Sequence, residues 1–150
     1  MEEVFIKQIE EWTEKRINNI LFDSDKDNWN RNTSVFDQRI MNKEHIIIVI
    51  EDSRGNQFGG YVNSKIDKVG KWINDSKSLL FSLETNWRIK WMNKFDIKQP
   101  ECAFCLYNQS NSYLFEFGCK KYRLNSTYVY KENNNALVGQ YVDKIMKVRI

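Results

Sequence analysis

The residues best suited to hold a metal are the pair Cys102-x-x-Cys105, with Cys119 and the single histidine, His45, as further candidate ligands. A zinc site needs ligands that converge on one tetrahedral ion, and a Cys-x-x-Cys pair normally does this on a tight turn. Here the pair lies in the run CAFCLY, which is typical of a strand, and residues three apart on a strand point to opposite faces. We therefore expect no metal and no other cofactor, and we interpret the cysteines as buried structural residues.

Three aspartates, Asp23-x-Asp25-x-Asp27, resemble the opening of a calcium-binding EF-hand loop. That loop also needs glycine at its sixth position and a bidentate glutamate at its twelfth. The sequence has Asn28 and Ser34 at those places, so the set of oxygen ligands is incomplete. We interpret the segment as a solvated turn, in which aspartate is a favoured residue.

Nucleophilic catalysis has little support in the sequence. His45 begins an apolar run, and the chain contains no Gly-x-Ser-x-Gly elbow. The glycines of Phe58-Gly59-Gly60-Tyr61 do not match a phosphate-binding loop, and glycines within a strand more often permit close backbone approach. We therefore predict that the protein is not an enzyme.

Basic residues accumulate in the second half of the chain. Residues 1–75 have a net charge of −3, whereas residues 76–150 have a net charge of +6. Such asymmetry is found on surfaces that meet an anionic partner. Ordinary solvated charge is the more common cause of it. Interleaved tyrosines and tryptophans are suited to stacking on bases, although the pI of about 8.7 is below the usual range of a nucleic-acid-binding domain. The candidate nucleic-acid contacts are Lys120, Lys121, Arg123, Lys131, Lys144, Lys147 and Arg149.

The elements that must position these residues begin with a helix. Between residues 2 and 20, apolar side chains recur at steps of three and four and form one stripe. Acidic residues at positions 2 and 3 suit a helix N-terminus, and Lys15 and Arg16 suit its C-terminal end. The pattern predicts an amphipathic N-terminal helix over residues 1–20, packed on a domain that comprises residues 21–150.

The rest of the chain is typical of an antiparallel β domain. Five short apolar runs are predicted strands, at residues 45–51, 57–62, 78–83, 102–107 and 112–117. Turn residues between the first two and between the last two predict hairpins. Residues 138–150 have a mixed period that fits a strand or a helix. Because the strands do not alternate with helices, the sequence predicts an α+β, β-rich sandwich with helices at one end or edge.

Length and composition limit the class of protein. The chain has 150 residues, 41% hydrophobic and 29% charged, which is the size and balance of one globular domain. No apolar run approaches the roughly 20 residues of a bilayer-spanning helix, so we expect no membrane insertion. The acidic N-terminus is unlike a secretory signal, and the cysteine count is odd. We expect a reducing compartment: the cytoplasm, and also the nucleus for a protein that binds DNA.

Taken in order, the strand motifs resemble the TLDc (TLD) domain family. The matching pieces are Leu21-Phe22-Asp23-Ser24, Ile46 to Ile50, Phe58-Gly59-Gly60-Tyr61, Leu80-Phe81-Ser82-Leu83 and Tyr113-Leu114-Phe115-Glu116-Phe117-Gly118. Their spacing fits over residues 20–150. The chain departs from the family where Gly118 is followed by Cys119-Lys120-Lys121, and where it ends in Lys147-Val148-Arg149-Ile150 instead of an acidic motif. Both departures add basic residues and favour an anionic partner.

The resemblance implies a two-sheet antiparallel β-sandwich with short flanking helices and a non-catalytic role. It links the family to oxidative-stress protection and, in some members, to binding of the vacuolar proton pump. Our leading hypothesis is therefore a non-catalytic TLDc-like binding module in an oxidative-stress response, with a protein or DNA as its partner. The alternative is a DNA-binding regulator of stress genes that uses the basic C-terminal half. A third hypothesis is a thiol sensor, which needs an exposed cysteine of low pKa.

Overall fold

The computed structural model describes residues 2–51, 55–84, 90–118, 127–130 and 144–149. Helices α1 and α2 span Glu3–Thr13 and Phe36–Ile40, and a 3-10 helix spans Pro100–Cys102. The strands are β1 (Ile20–Phe22), β2 (Ile46–Glu51), β3 (Gln57–Val62), β4 (Trp72–Ile73), β5 (Leu79–Glu84), β6 (Lys90–Asp96), β7 (Phe104–Leu106), β8 (Tyr113–Phe117), β9 (Thr127–Tyr130) and β10 (Lys144–Arg149).

The strands form two antiparallel sheets, which confirms the predicted β-rich sandwich. The large sheet has the order β1-β10-β2-β3-β5-β6, and the small sheet has the order β4-β7-β8-β9. Four predicted strands match β2, β3, β5 and β8 to within one residue at each end. β10 lies within the segment whose period left strand and helix open, and it is a strand.

The prediction for residues 102–107 is wrong at its beginning. Cys102 ends the 3-10 helix that starts at Pro100, and the strand covers only Phe104–Leu106. A proline at the first helical position has its φ already set for a helix and has no N–H to lose. The turn therefore precedes the strand, and the two cysteines of the Cys-x-x-Cys pair lie in different elements.

The N-terminal helix is shorter than the predicted 2–20, because α1 ends at Thr13. Glu14 follows it in the left-handed region with φ 57°, a conformation that ends a helix. The backbone N–H of Ile17 then donates to the Glu10 carboxylate at 2.8 Å, which ties the returning segment to the helix. Ile20 lies in β1 and pairs with β10, so an apolar residue assigned to the helical stripe belongs to the sheet.

The centre of the large sheet is buried on both faces, and β2 shows this most clearly. Ile46, Ile48 and Ile50 point toward the small sheet, in the core cluster that contains its phenylalanines. Ile47 and Val49 point to the opposite face, which is covered by Phe5 and Ile9 of α1. A strand enclosed on both faces has no need for alternation, which explains the continuous run IIIVI.

Two glycines in β3 allow this close packing. A side-chain carbon on Gly60 would lie 2.5 Å from the ring of Phe117 in the small sheet. On the other face of β3, a side-chain carbon on Gly59 would overlap the backbone carbonyl of Ile48 and lie 3.2 Å from the Phe81 ring. The glycine pair is therefore required for sheet-to-sheet contact at Gly60 and for strand pairing at Gly59.

None of the helices in the part of the chain that the structure describes is long and apolar enough to cross a bilayer.

We predict that alanine at either glycine destabilises the domain, and more strongly at Gly59. Gly60→Ala collides with the end of a side chain that can shift, so the expected loss is about 1 to 3 kcal/mol. Gly59→Ala collides with backbone that pairing holds in place, so the loss should be larger. Urea unfolding monitored by circular dichroism measures both. Equal stability of Gly60→Ala and the wild type would contradict the packing described here.

Candidate functional site

Four of the predicted nucleic-acid contacts, Lys120, Lys121, Arg123 and Lys131, lie outside the described residues. The other three, Lys144, Lys147 and Arg149, lie on β10, an interior strand of the large sheet between β1 and β2. Register places Lys144 opposite Glu51, Lys147 opposite Val49 and Arg149 opposite Ile47. The DNA-binding hypothesis stays a prediction.

The cysteines differ from one another in state. Cys105 is a free thiol buried in β7, whereas Cys102 is disulfide-bonded, which the sequence analysis did not predict; Cys119 lies outside the described residues. Burial is the largest effect on Cys105 and raises its pKa. A hydrogen bond with Tyr107 lowers this pKa, and the nearby charge of Glu116 raises it further. A buried thiol with a raised pKa is a poor nucleophile.

Within the described ranges, no three His, Cys, Asp or Glu residues are grouped so that they could hold a metal ion.

Glu116 is a fully buried carboxylate on β8, directly opposite Cys105 of β7. The hydroxyl of Tyr107 donates to Glu116 Oε1 at 2.7 Å. Burial and this hydrogen bond raise the pKa of Tyr107 far above its usual value, so the phenol remains a donor at any physiological pH. The hydrogen bond gives this buried carboxyl group a partner within the small sheet, as a structural contact does.

The aspartate triplet forms a turn, as predicted. The Asp27 carboxylate accepts the backbone N–H of Asp23 at 2.8 Å, and the Asp23 carboxylate accepts that of Asp25 at 3.0 Å. Asp27 also pairs with Arg39 of α2 at 3.4 Å. Hydrogen bonds from side chain to nearby backbone are the usual role of aspartate in a turn.

A cavity of about 310 Å³ lies where α1 ends on the large sheet, and we refer to it as the α1 cavity. Tyr61 of β3 and Leu79 of β5 are buried neighbours in the sheet and belong to its lining. Trp12 packs against Phe81 with ring centroids 6.2 Å apart, so the end of α1 forms a further side. The full lining is Trp12, Thr13, Glu14, Lys15, Tyr61, Asn63, Lys77, Leu79, Lys94 and Asp96.

One buried carboxylate holds two parts of the cavity rim together. Asp75 accepts the backbone N–H groups of Asn63 at 2.6 Å, Ser64 at 3.1 Å and Lys77 at 3.0 Å. These donors lie after β3 and before β5, so a single side chain fixes both segments. Hydrogen bonds to an ionised group are the stronger kind, each contributing about 1.5 to 3 kcal/mol.

Tyr61 sets the orientation of the neighbouring amide. Its hydroxyl donates to Asn63 Oδ1 at 2.8 Å. Burial, followed by the charges of Asp75 and Glu44, raises the pKa of Tyr61 to about 12. The phenol is therefore protonated near neutral pH and must act as the donor, which leaves the NH₂ group of Asn63 for other contacts.

Charges of both signs surround the α1 cavity. Lys94 and Asp96 pair with each other at 3.5 Å. Lys15 and Lys77 have no carboxylate within 4 Å among the described residues, while Glu14 adds one exposed negative charge. The hydroxyl of Thr13 donates to the carbonyl of Ile9 at 2.8 Å. The lining contains no histidine, cysteine or serine, and this chemistry suits binding of a polar group over an apolar floor.

Sequence reasoning did not identify the α1 cavity, and none of its lining residues was a predicted site residue. Tyr61 belongs to the Phe58–Tyr61 motif, which was the single signal near it. The lysines carry no motif, because their proximity results from strands that meet only in the folded sheet.

Comparison with protein-family models gives a match to the TLDc domain over residues 1–146. The match includes the N-terminal helix. The predicted division at residue 21 stays a prediction. No curated protein is similar enough in sequence to be a match.

We predict that Tyr61 makes the domain less stable at alkaline pH. Burial raises its pKa to about 12 in the folded state, above the ordinary value of about 10, so the folded state holds the proton more tightly. The stabilisation is complete below pH 10 and is lost as the pH rises through 12, with a maximum of roughly 2 to 3 kcal/mol. Tyr61→Phe should remove this part of the pH dependence. Urea unfolding of both proteins between pH 9 and 12 measures it, and identical slopes would contradict the assignment.

Proposed function

Because the chain belongs to the TLDc domain family, we propose that it is a non-catalytic binding module that acts in an oxidative-stress response by contacting a protein partner. The observation that carries the proposal is the match to the family, which extends over nearly the whole chain. The proposal takes from the resemblance both the binding role and the link to oxidative stress.

The chemistry of the α1 cavity supports binding over catalysis. The hydroxyl of Thr13 already donates a hydrogen bond to the carbonyl of Ile9. The pKa of Tyr61 is too high for this residue to act as a general base near neutral pH. Lys15 and Lys77 offer positive charges beside an apolar floor. A polar or acidic side chain of a partner protein fits such a lining, because the partner gains both a charge contact and burial.

The experiment compares two charge reversals of the same size. Lys77→Glu alters the rim of the α1 cavity, whereas Lys7→Glu alters an exposed ion pair with Glu3 on α1 and serves as the control. We expect the wild type and Lys7→Glu to restore peroxide resistance to cells that lack the gene, and Lys77→Glu to restore much less. Both variants should unfold within about 0.5 kcal/mol of the wild type, since exposed charges contribute little.

Three results would count against the proposal. Peroxide sensitivity that is unaffected by loss of the gene would remove the stress role. Turnover of peroxide or another substrate by the purified chain would remove the non-catalytic role. Retention of duplex DNA at low salt, with affinity that falls steeply as salt rises, would favour the DNA-binding alternative.

A further inference from the structure

The edge strand β6 carries the most exposed large apolar side chain among the described residues. β6 pairs with β5 on one side, and no described strand pairs with its other side. Phe95, near the end of β6, is 58% exposed, although its neighbour in register, Leu80, is half-buried in the core between the sheets. An exposed edge with an apolar residue is a template for pairing with another strand.

The direction of the backbone groups along β6 follows from one hydrogen bond. The N–H of Ile97 donates to the carbonyl of Ser78 at 3.2 Å, so Ile97 faces β5. In an antiparallel pair, successive residues alternate between facing the partner strand and facing away. Phe95 therefore directs its backbone groups toward β5, whereas Lys94 and Asp96 direct theirs to the open edge.

We propose that β6 pairs with β6 of a second copy of this chain, antiparallel and about a two-fold axis at Phe95. In this register, Lys94 of each copy lies opposite Asp96 of the other, and both residues have backbone groups that face outward. They form hydrogen-bonded pairs across the interface. Phe95 lies opposite Phe95 in a non-hydrogen-bonded pair, where side chains approach most closely. The proposal goes beyond the proposed function and does not depend on it.

Charge selects this register over its neighbours. A two-fold axis at Lys94 or at Asp96 satisfies the same alternation but places like charges opposite each other, which is destabilising. Lysine on an edge strand normally opposes pairing. Here Asp96 lies two residues from Lys94, so each lysine can face an aspartate of the other copy. The side chains of Lys94 and Asp96 are 44% and 77% exposed, and the ion pair that they form with each other at 3.5 Å would be exchanged for the pairs between copies.

The faces of the sheet agree with the pairing. Phe95 shares a face with Leu80, whereas Lys94 and Asp96 share the opposite face with Phe81 and Leu79. Pairing would join the two aromatic rings on one face and the two reciprocal ion pairs on the other. The large sheets of the two copies would then form one continuous antiparallel sheet. Because the axis is two-fold, the assembly stops at a dimer.

The test measures the mass of the purified full chain by sedimentation equilibrium over a concentration series in low and moderate salt. We expect a monomer–dimer equilibrium for the wild type. Lys94→Glu and Asp96→Lys should each weaken dimerisation at least tenfold, because each places like charges opposite one another. The double reversal, Lys94→Glu with Asp96→Lys, should restore it. Lys7→Glu, which makes the same charge change as Lys94→Glu but in an exposed ion pair with Glu3 on α1, should leave it unchanged.

Two outcomes would overturn the proposal. A wild-type chain that remains monomeric at the highest soluble concentration has no such interface. A dimer that both single reversals leave intact, or that the double reversal fails to restore, uses another surface or another register. Lys77→Glu lies off β6, so failure of the stress experiment and failure of this one are separate results.

Discussion

The structure depends on close contact at the centre of the large sheet, where β2 and β3 are covered on both faces. Gly60 leaves room for the ring of Phe117 from the small sheet, and Gly59 leaves room for β2 and for Phe81. Phe117 in turn packs edge-on against Phe104, with centroids 5.0 Å apart. Because packed interiors have little free volume, a side chain at either glycine would move the sheets or the strands apart.

The same contact determines where the α1 cavity lies. Tyr61 follows the glycine pair along β3 and is held on the face that α1 covers. Its hydroxyl and the Asp75 carboxylate both bind Asn63, so the rim of the cavity is connected to the core by hydrogen bonds. A site built on strands and on buried polar contacts keeps its geometry better than one built on a loop.

The two proposals start from features of the chain that have different origins. The match to the TLDc family extends over residues 1–146, a range that includes the glycine pair of β3. The self-complementary order of Lys94, Phe95 and Asp96 depends on which charged residues lie on the edge strand β6. A fold does not specify those residues. Because a fold by itself does not specify a function, these surface residues have to be considered beside the family match.

The sequence by itself determined the fold class, the central strands and the family. Their signals are local: a continuous β-branched run for β2, turn residues before β3, and the glycines of the Phe58–Tyr61 motif. The end of α1 was not predictable in this way, because the apolar stripe in the sequence continues to Ile20. In the structure the helix ends earlier, since Glu14 is left-handed and Ile20 pairs with β10 as part of β1.

Tertiary structure alone decided the remaining features. β1 has three residues and β4 has two, too few to show the alternation of a strand in the sequence. β6 carries charged residues on an open edge. Pairing with a neighbouring strand therefore defines all three strands. The α1 cavity joins Trp12 with Lys77 and Asp96, which are far apart in the chain. Such proximity arises from strand order and register, and these depend on long-range contacts that no local pattern records.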